Sequence, residues 1–138
     1  MEAWRGEVIN LTGKDIVIAN GLRTPYHTYR SKEAKVQVDV EEAYLGLLNG
    51  QIELTYERVY GLRGLPPLQL QKDGTPRCYY LVSKRVVVAA AQMRRGLNDL
   101  LIPHRAVQLP AKNAKTPATT VYLGLMPAQY WYDLRGTR

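Results

Sequence analysis

Few side chains in this 138-residue chain have the types that carry covalent or acid–base chemistry, and their spacing argues against such chemistry. Cys78 is the lone cysteine and His27 and His104 are the two histidines, so neither an internal disulfide nor a clustered zinc motif can form. Cys78 opens an apolar extended run, Cys78-Tyr79-Tyr80-Leu81-Val82, and reads as a buried structural thiol rather than a reactive one. His27, between Tyr26 and Thr28, and His104, after Pro103, read as exposed loop residues. Ser83 has no Gly-x-Ser-x-Gly surroundings and reads as a helix N-cap. Asp99, beside Asn98, reads as a turn or capping residue rather than a general acid or base. Gly61-Leu62-Arg63-Gly64 is too short a signal for a phosphate loop. No catalytic residue, metal site or cofactor is therefore expected, and the chain is read as non-enzymatic.

Charge is the stronger signal. The chain carries a formal net charge of +7. Residues 1–70 hold 8 basic and 9 acidic side chains, whereas residues 71–138 hold 11 basic and 3 acidic. All the excess positive charge lies in the C-terminal half, which points to an anionic partner met by that half. On a helical wheel Lys84, Arg85 and Arg95 fall within about 100° of one another, opposite an apolar stripe. Lys84 and Arg85 would stand at a helix N-terminus, where cations oppose the macrodipole but build an electropositive spot beside unpaired N–H groups. Arg105, Lys112 and Lys115 extend this region if the following loop folds back. A nucleic acid or nucleotide is the expected ligand; a solvated basic face is the plainer alternative.

The C-terminal segment, residues 127–138, is aromatic and basic: Tyr130, Trp131 and Tyr132 are followed by Arg135 and Arg138. Such side chains stack on bases and pair with phosphates, and they are equally the residues enriched at protein–protein hot spots. Docking onto the chain's own domain is the simplest expectation; a neighbouring subunit is the other.

Local patterns supply the elements that must position these residues. Val8 to Thr12 and Asp15 to Ile18 are β-branched runs around Gly13-Lys14 and read as a hairpin or a bulged strand. Residues 22–35 read as an irregular loop. Residues 35–40 alternate as a strand. Residues 41–49 fit either a short helix capped by Asp39 or, preferably, a strand turning at Asn49-Gly50 into a second strand from Gln51 to Glu57. Gly61 to Pro67 breaks regular structure. Tyr79 to Val82 reads as a central strand. Over residues 84–95, Val86, Ala89, Ala90 and Met93 form a helical stripe, with Arg94 and Arg95 in the last turn and Gly96 just beyond. Leu100 to Pro103 is extended, residues 110–119 a loop, and Thr120 to Leu125 a last strand. The expected fold is a compact α+β, β-rich domain over residues 1–126. It would be a small partly closed barrel or a curled antiparallel or mixed sheet, with one main helix at about 84–95 and residues 127–138 as a tail.

Ile9-Asn10-Leu11-Thr12, Gly64-Leu65-Pro66, Tyr80-Leu81-Val82-Ser83 before the Ala-rich helix, and Asn98-Asp99-Leu100-Leu101-Ile102-Pro103 occur in an order that resembles a family of small tailed-phage and prophage proteins. Those proteins begin Asn-Leu-Thr-Pro-His and carry a later Tyr-Ile-Val-Ser, Ala-rich helix, Asp-Leu-Leu-Val-Pro block. The resemblance covers roughly residues 7–125, with Gly13-Lys14 standing where the family has Pro-His. It implies viral origin and a single domain, and brings no catalytic residue with it. Three functions follow as expectations. The first is a phage protein whose basic half binds an anionic macromolecule or nucleotide. The second is a virion or assembly component that uses the tail for homo-oligomer or virion-protein contacts. The third is an inhibitor of a host nucleic-acid-handling or defence factor. The longest apolar run, Val86 to Ala91, is too short to span a membrane, and no leader is evident at the N-terminus. Host cytoplasm is the expected location, with the virion as the alternative.

Overall fold

A computed structural model describes residues 4–32, 35–110 and 119–135. Strands β1 (Glu7–Asn10), β2 (Ile16–Ala19) and β3 (Pro25–Tyr29) come first, followed by β4 (Gln37–Leu48) and β5 (Ile52–Arg63). Then come β6 (Cys78–Leu81), helix α1 (Lys84–Gln92), β7 (Leu100–Leu109), β8 (Thr119–Pro127) and helix α2 (Ala128–Arg135). Six strands make one mixed sheet in the order β1-β6-β7-β8-β2-β3, and β4 and β5 pair only with each other. The α+β, β-rich class holds. The large sheet curls until its two edge strands touch through one bridge, Asn10 with Ser31, but it is not a closed barrel.

Two of the four interior strands, β6 and β7, explain the continuous apolar runs. Leu81 and Leu101 face one side with Ile16, Ile18, Tyr122 and Leu125, inside the curl. Val82, Leu100 and Ile102 face the other side, against Val86, Val87 and Ala90 of α1 and Ala128 of α2. Strands buried on both faces cannot alternate, which is why Leu100-Leu101-Ile102 shows no polar position.

Several local expectations change. The segments 8–12 and 15–18 do not form a hairpin: β1 runs parallel to β6, and β2 pairs with β3 and β8. The link between them is set by Asn10, fully buried, whose amide nitrogen donates to the carbonyls of Lys14 (2.8 Å) and Tyr29 (2.7 Å). Its oxygen accepts from the Thr12 amide (2.9 Å) and hydroxyl (2.7 Å). That bonding sends the chain across to the far edge of the sheet instead of back along β1. Residues 22–35 are not all loop, because Pro25–Tyr29 forms the edge strand β3, where a starting proline removes no ladder bond. His27 thus lies on a strand, in edge-on contact with Tyr29, and the half-buried His104 lies on β7.

Helix α1 is shorter than the pattern suggests. Ser83 caps it as expected, accepting from the Val86 amide. The helix ends at Gln92, with Met93 as C-cap and 46% exposed, so Met93 is not part of the buried stripe. Arg94, not Gly96, takes the left-handed turn (φ 59°). Its N–H bonds to the Ala91 carbonyl (3.0 Å) and that of Arg95 to the Ala90 carbonyl (2.9 Å), which is a Schellman closure. Gly96 serves packing instead: a Cβ there would meet Leu68 Cδ2 at 2.8 Å. The segment read as a tail contains a second helix, α2, whose Ala128 is fully buried and whose Trp131 and Tyr132 pack on the core.

Candidate functional site

The helix termini bring part of the expected basic set together. Lys84 Nζ lies 5.5 Å from the centre of the Trp131 ring, and the Arg135 guanidinium lies 5.5 Å from both the Trp131 and Tyr132 rings. The start of α1 and the end of α2 are therefore joined through cation–π contacts, each worth roughly 0.5–1 kcal/mol at an exposed site. Arg85 leans the other way, to Glu57 of β5 at 3.6 Å. Arg85 thus stands outside, and Lys84, Trp131, Tyr132 and Arg135 form one basic-aromatic cluster. Its indole ring is engaged by the chain's own cations, so it offers an anion positive charge rather than a free stacking surface.

Arg95 does not belong to this cluster. Because α1 ends before it, its side chain turns inward and meets Asp99 with two bonds, Nη1 to Oδ1 at 2.6 Å and Nη2 to Oδ2 at 2.8 Å. It also donates to the carbonyl of Pro66 through Nε (3.2 Å) and Nη2 (2.6 Å), and to that of Gly96 through Nη1 (2.6 Å). Asp99 is 1% exposed, and its carbonyl accepts the Tyr80 amide at 2.8 Å. The pair fastens the 64–70 segment to the turn between α1 and β7. It corrects the reading of Arg95, which is no surface ligand. Asp99 is the turn residue expected, inside the turn closed by the Leu100 amide on the Leu97 carbonyl, and it also holds Arg95. The Arg95-x-x-x-Asp99 spacing was the available signal.

The Tyr80 phenol, on the neighbouring strand, is pushed up to about 12, first by hydrogen bonding with Cys78, then by burial, with the Asp99 carboxylate adding and Arg95 opposing. Arg105 stands exposed on β7 at φ 62°, an uncommon strand conformation. Lys112, Lys115 and Arg138 lie outside the described residues. Tyr130, 63% exposed, does not join Trp131 but borders a cleft of about 520 Å³ with Trp4, Tyr79 and Pro127. Among the described residues, no group of three or more His, Cys, Asp or Glu could hold a metal, and no helix is long and apolar enough to cross a membrane.

The most conspicuous feature is the hairpin expected around Asn49-Gly50, whose length and exposure the sequence did not announce. β4 and β5 form a separate ribbon of two 12-residue strands. At about 3.3 Å per residue each strand spans about 40 Å. Its base is held to the domain by Val36, Val38, Leu62 and Leu65 in the core. Two cross-strand ion pairs reinforce the base, Arg63 with Asp39 (2.9 and 3.0 Å) and Arg58 with Glu41. The hairpin turn is as expected, with Asn49 and Gly50 both at positive φ (54° and 71°). Beyond Ala43, however, nothing among the described residues covers the ribbon. Tyr44, Leu45, Leu47, Leu48, Ile52, Leu54 and Tyr56 are all exposed, Leu45 at a bulge by 66% and Ile52 by 56%. The signal was present in Leu47-Leu48-Asn49-Gly50-Gln51-Ile52, but apolar alternation normally means burial in one's own core. No family model, curated protein or solved structure matches the chain.

Proposed function

We propose that this protein is a non-enzymatic assembly component of tailed-phage origin, and that it binds a neighbouring protein through the β4–β5 ribbon. The observation that carries this reading is the ribbon tip, seven large apolar side chains held out on a two-stranded arm that pairs with no third strand among the described residues. An isolated two-stranded hairpin is marginal in water, and a contiguous exposed apolar surface marks an interaction site or an aggregation hazard. Docking on a partner resolves both. The order of the Asn-Leu-Thr, Tyr-Leu-Val-Ser and Asp-Leu-Leu-Ile-Pro segments supports the phage origin. The reading places the arm in the ribbon rather than in the C-terminal segment because Trp131 and Tyr132 of α2 pack on the core.

The test is a Leu45→Asp/Ile52→Asp chain, which places charge on the tip without touching the base. It should keep the circular dichroism and melting behaviour of the parent yet fail to enter assembled phage particles. Normal incorporation would remove the reading.

A second reading rests on the Lys84–Trp131–Arg135 cluster, which favours an anionic macromolecule on the α1–α2 face. Binding to oligonucleotides should then weaken steeply with salt and lose about one counterion's worth of slope per cation removed. No binding at low salt would dispose of it.

A further inference from the structure

We infer that the partner of the ribbon is a second copy of this chain, bound head to tail, with the tip of one copy seated in the apolar cleft beside Trp4 of the next. The inference rests on the ribbon as docking arm, and adds its occupant. Charge is the first argument. The whole ribbon, Gln37–Arg63, carries five acids against Arg58 and Arg63, a net of −3, with Glu53 the one charge on the tip beyond Ala43, while the remainder of the chain carries +10. An acidic arm on a basic body complements copies of itself.

Shape and polarity supply the second argument. The cleft of about 520 Å³ adjoins another of about 450 Å³, and the two share Trp4, Tyr79 and Pro127. Trp4 is 61% exposed, with its ring centre 6.0 Å from that of Tyr79. Val8, Leu101 and Leu125 extend the apolar lining, and Arg5 stands at its edge. Lys72 and Arg77 border an adjacent hollow. The two clefts hold one cation, Arg5, and one acid, Asp133, and the third hollow adds Lys72 and Arg77, so the three linings together carry three cations against one acid. An exposed tryptophan beside Val8, Leu101 and Leu125 is a counterpart for the exposed tip leucines, and Arg5, Lys72 and Arg77 are counterparts for Glu53.

Donor and acceptor are different surfaces of one chain, so the contact is heterologous. Head-to-tail repetition closes into a ring or continues as a filament and so exceeds a dimer, whereas a parent that stops at a dimer would mean reciprocal exchange of tips and overturn the head-to-tail arrangement.

The experiment uses purified full chains in sedimentation velocity over a concentration series. The parent should grow past dimer, less so as salt rises. The tip variant Leu45→Asp/Ile52→Asp and the cleft variants Trp4→Asp and Arg77→Glu should each lower the association constant, by about 30-fold or more for the Trp4 change. Both cleft positions are exposed, so these chains should stay folded. The decisive sample is an equimolar mixture of tip variant and Trp4→Asp chain. One intact tip meets one intact cleft, and a heterodimer that cannot grow should form. A mixture that remains monomeric overturns the head-to-tail contact, and so does a Trp4→Asp chain that still dimerises by itself, the outcome of tip-to-tip pairing. A parent that stays monomeric throughout overturns self-association altogether. In that case the ribbon as an arm for another protein still stands or falls by particle incorporation.

Discussion

Replacing Arg95 by methionine separates a buried fastening from a surface ligand. All three nitrogens of the guanidinium are engaged, on both oxygens of Asp99 and on the carbonyls of Pro66 and Gly96. Arg95 is 13% exposed at its side chain and Asp99 1%, so solvent can replace few of these bonds. Methionine fills much of the volume but donates nothing, leaving a buried carboxylate and two carbonyls without their donor. Removing one partner of a buried pair costs about 3–5 kcal/mol, a large share of the roughly 5–15 kcal/mol that holds a domain together. At about 3–5 °C per kcal/mol for this chain length, the melting temperature should fall by about 10–20 °C. An Arg95→Met/Asp99→Leu chain should recover part of this, since no unpaired charge then remains. Urea unfolding of the parent, the two single variants and the double variant gives the coupling energy directly. The anion affinity of folded Arg95→Met should match that of the parent. A melting temperature unchanged within error, together with weakened oligonucleotide binding, would refute the reasoning and return Arg95 to the surface site.

Three further outcomes follow from the same geometry. Arg94→Gly should stabilise the protein by about 1 kcal/mol, because glycine takes the left-handed turn at φ 59° without a Cβ clash; a lower urea midpoint would contradict the Schellman assignment. Asn10→Ala should cost about 2–3 kcal/mol, since it strips donors from two carbonyls and an acceptor from Thr12 in a buried position; a near-neutral change would show that this junction does not hold the sheet edges. For Tyr80, the folded phenol titrates at about 12 and the unfolded one near 10, so between those values the unfolded chain has released a proton that the folded chain keeps. The corresponding stability is fully present below about pH 10 and is lost as the pH rises towards 12. Tyr80→Phe should flatten that alkaline decline in urea midpoints, and an identical slope would rule Tyr80 out as its source.

What was legible in the sequence was whatever a short window determines. Asn49-Gly50 announced its turn because glycine and asparagine alone take two successive positive φ values cheaply. Ser83 announced a cap, and Val86, Ala89 and Ala90 a buried face. The net charge of the C-terminal half was a matter of counting. The motifs that carried the resemblance prove to be fold determinants: Asn10 closes the sheet edge, Ser83 caps α1, and Asp99 holds Arg95. Tertiary structure decided what depends on distant partners. Gly13-Lys14 looked like a hairpin turn, but Asn10 finds its bonds on Tyr29 and so sends the chain elsewhere. Arg95 matched the basic face of a longer helix until a Schellman closure two residues earlier aimed it at Asp99. The alternating leucines of residues 44–56 resemble a core strand in every local respect. Only the three-dimensional arrangement leaves them without a covering layer, because burial is a property of what packs across a strand and not of the strand itself.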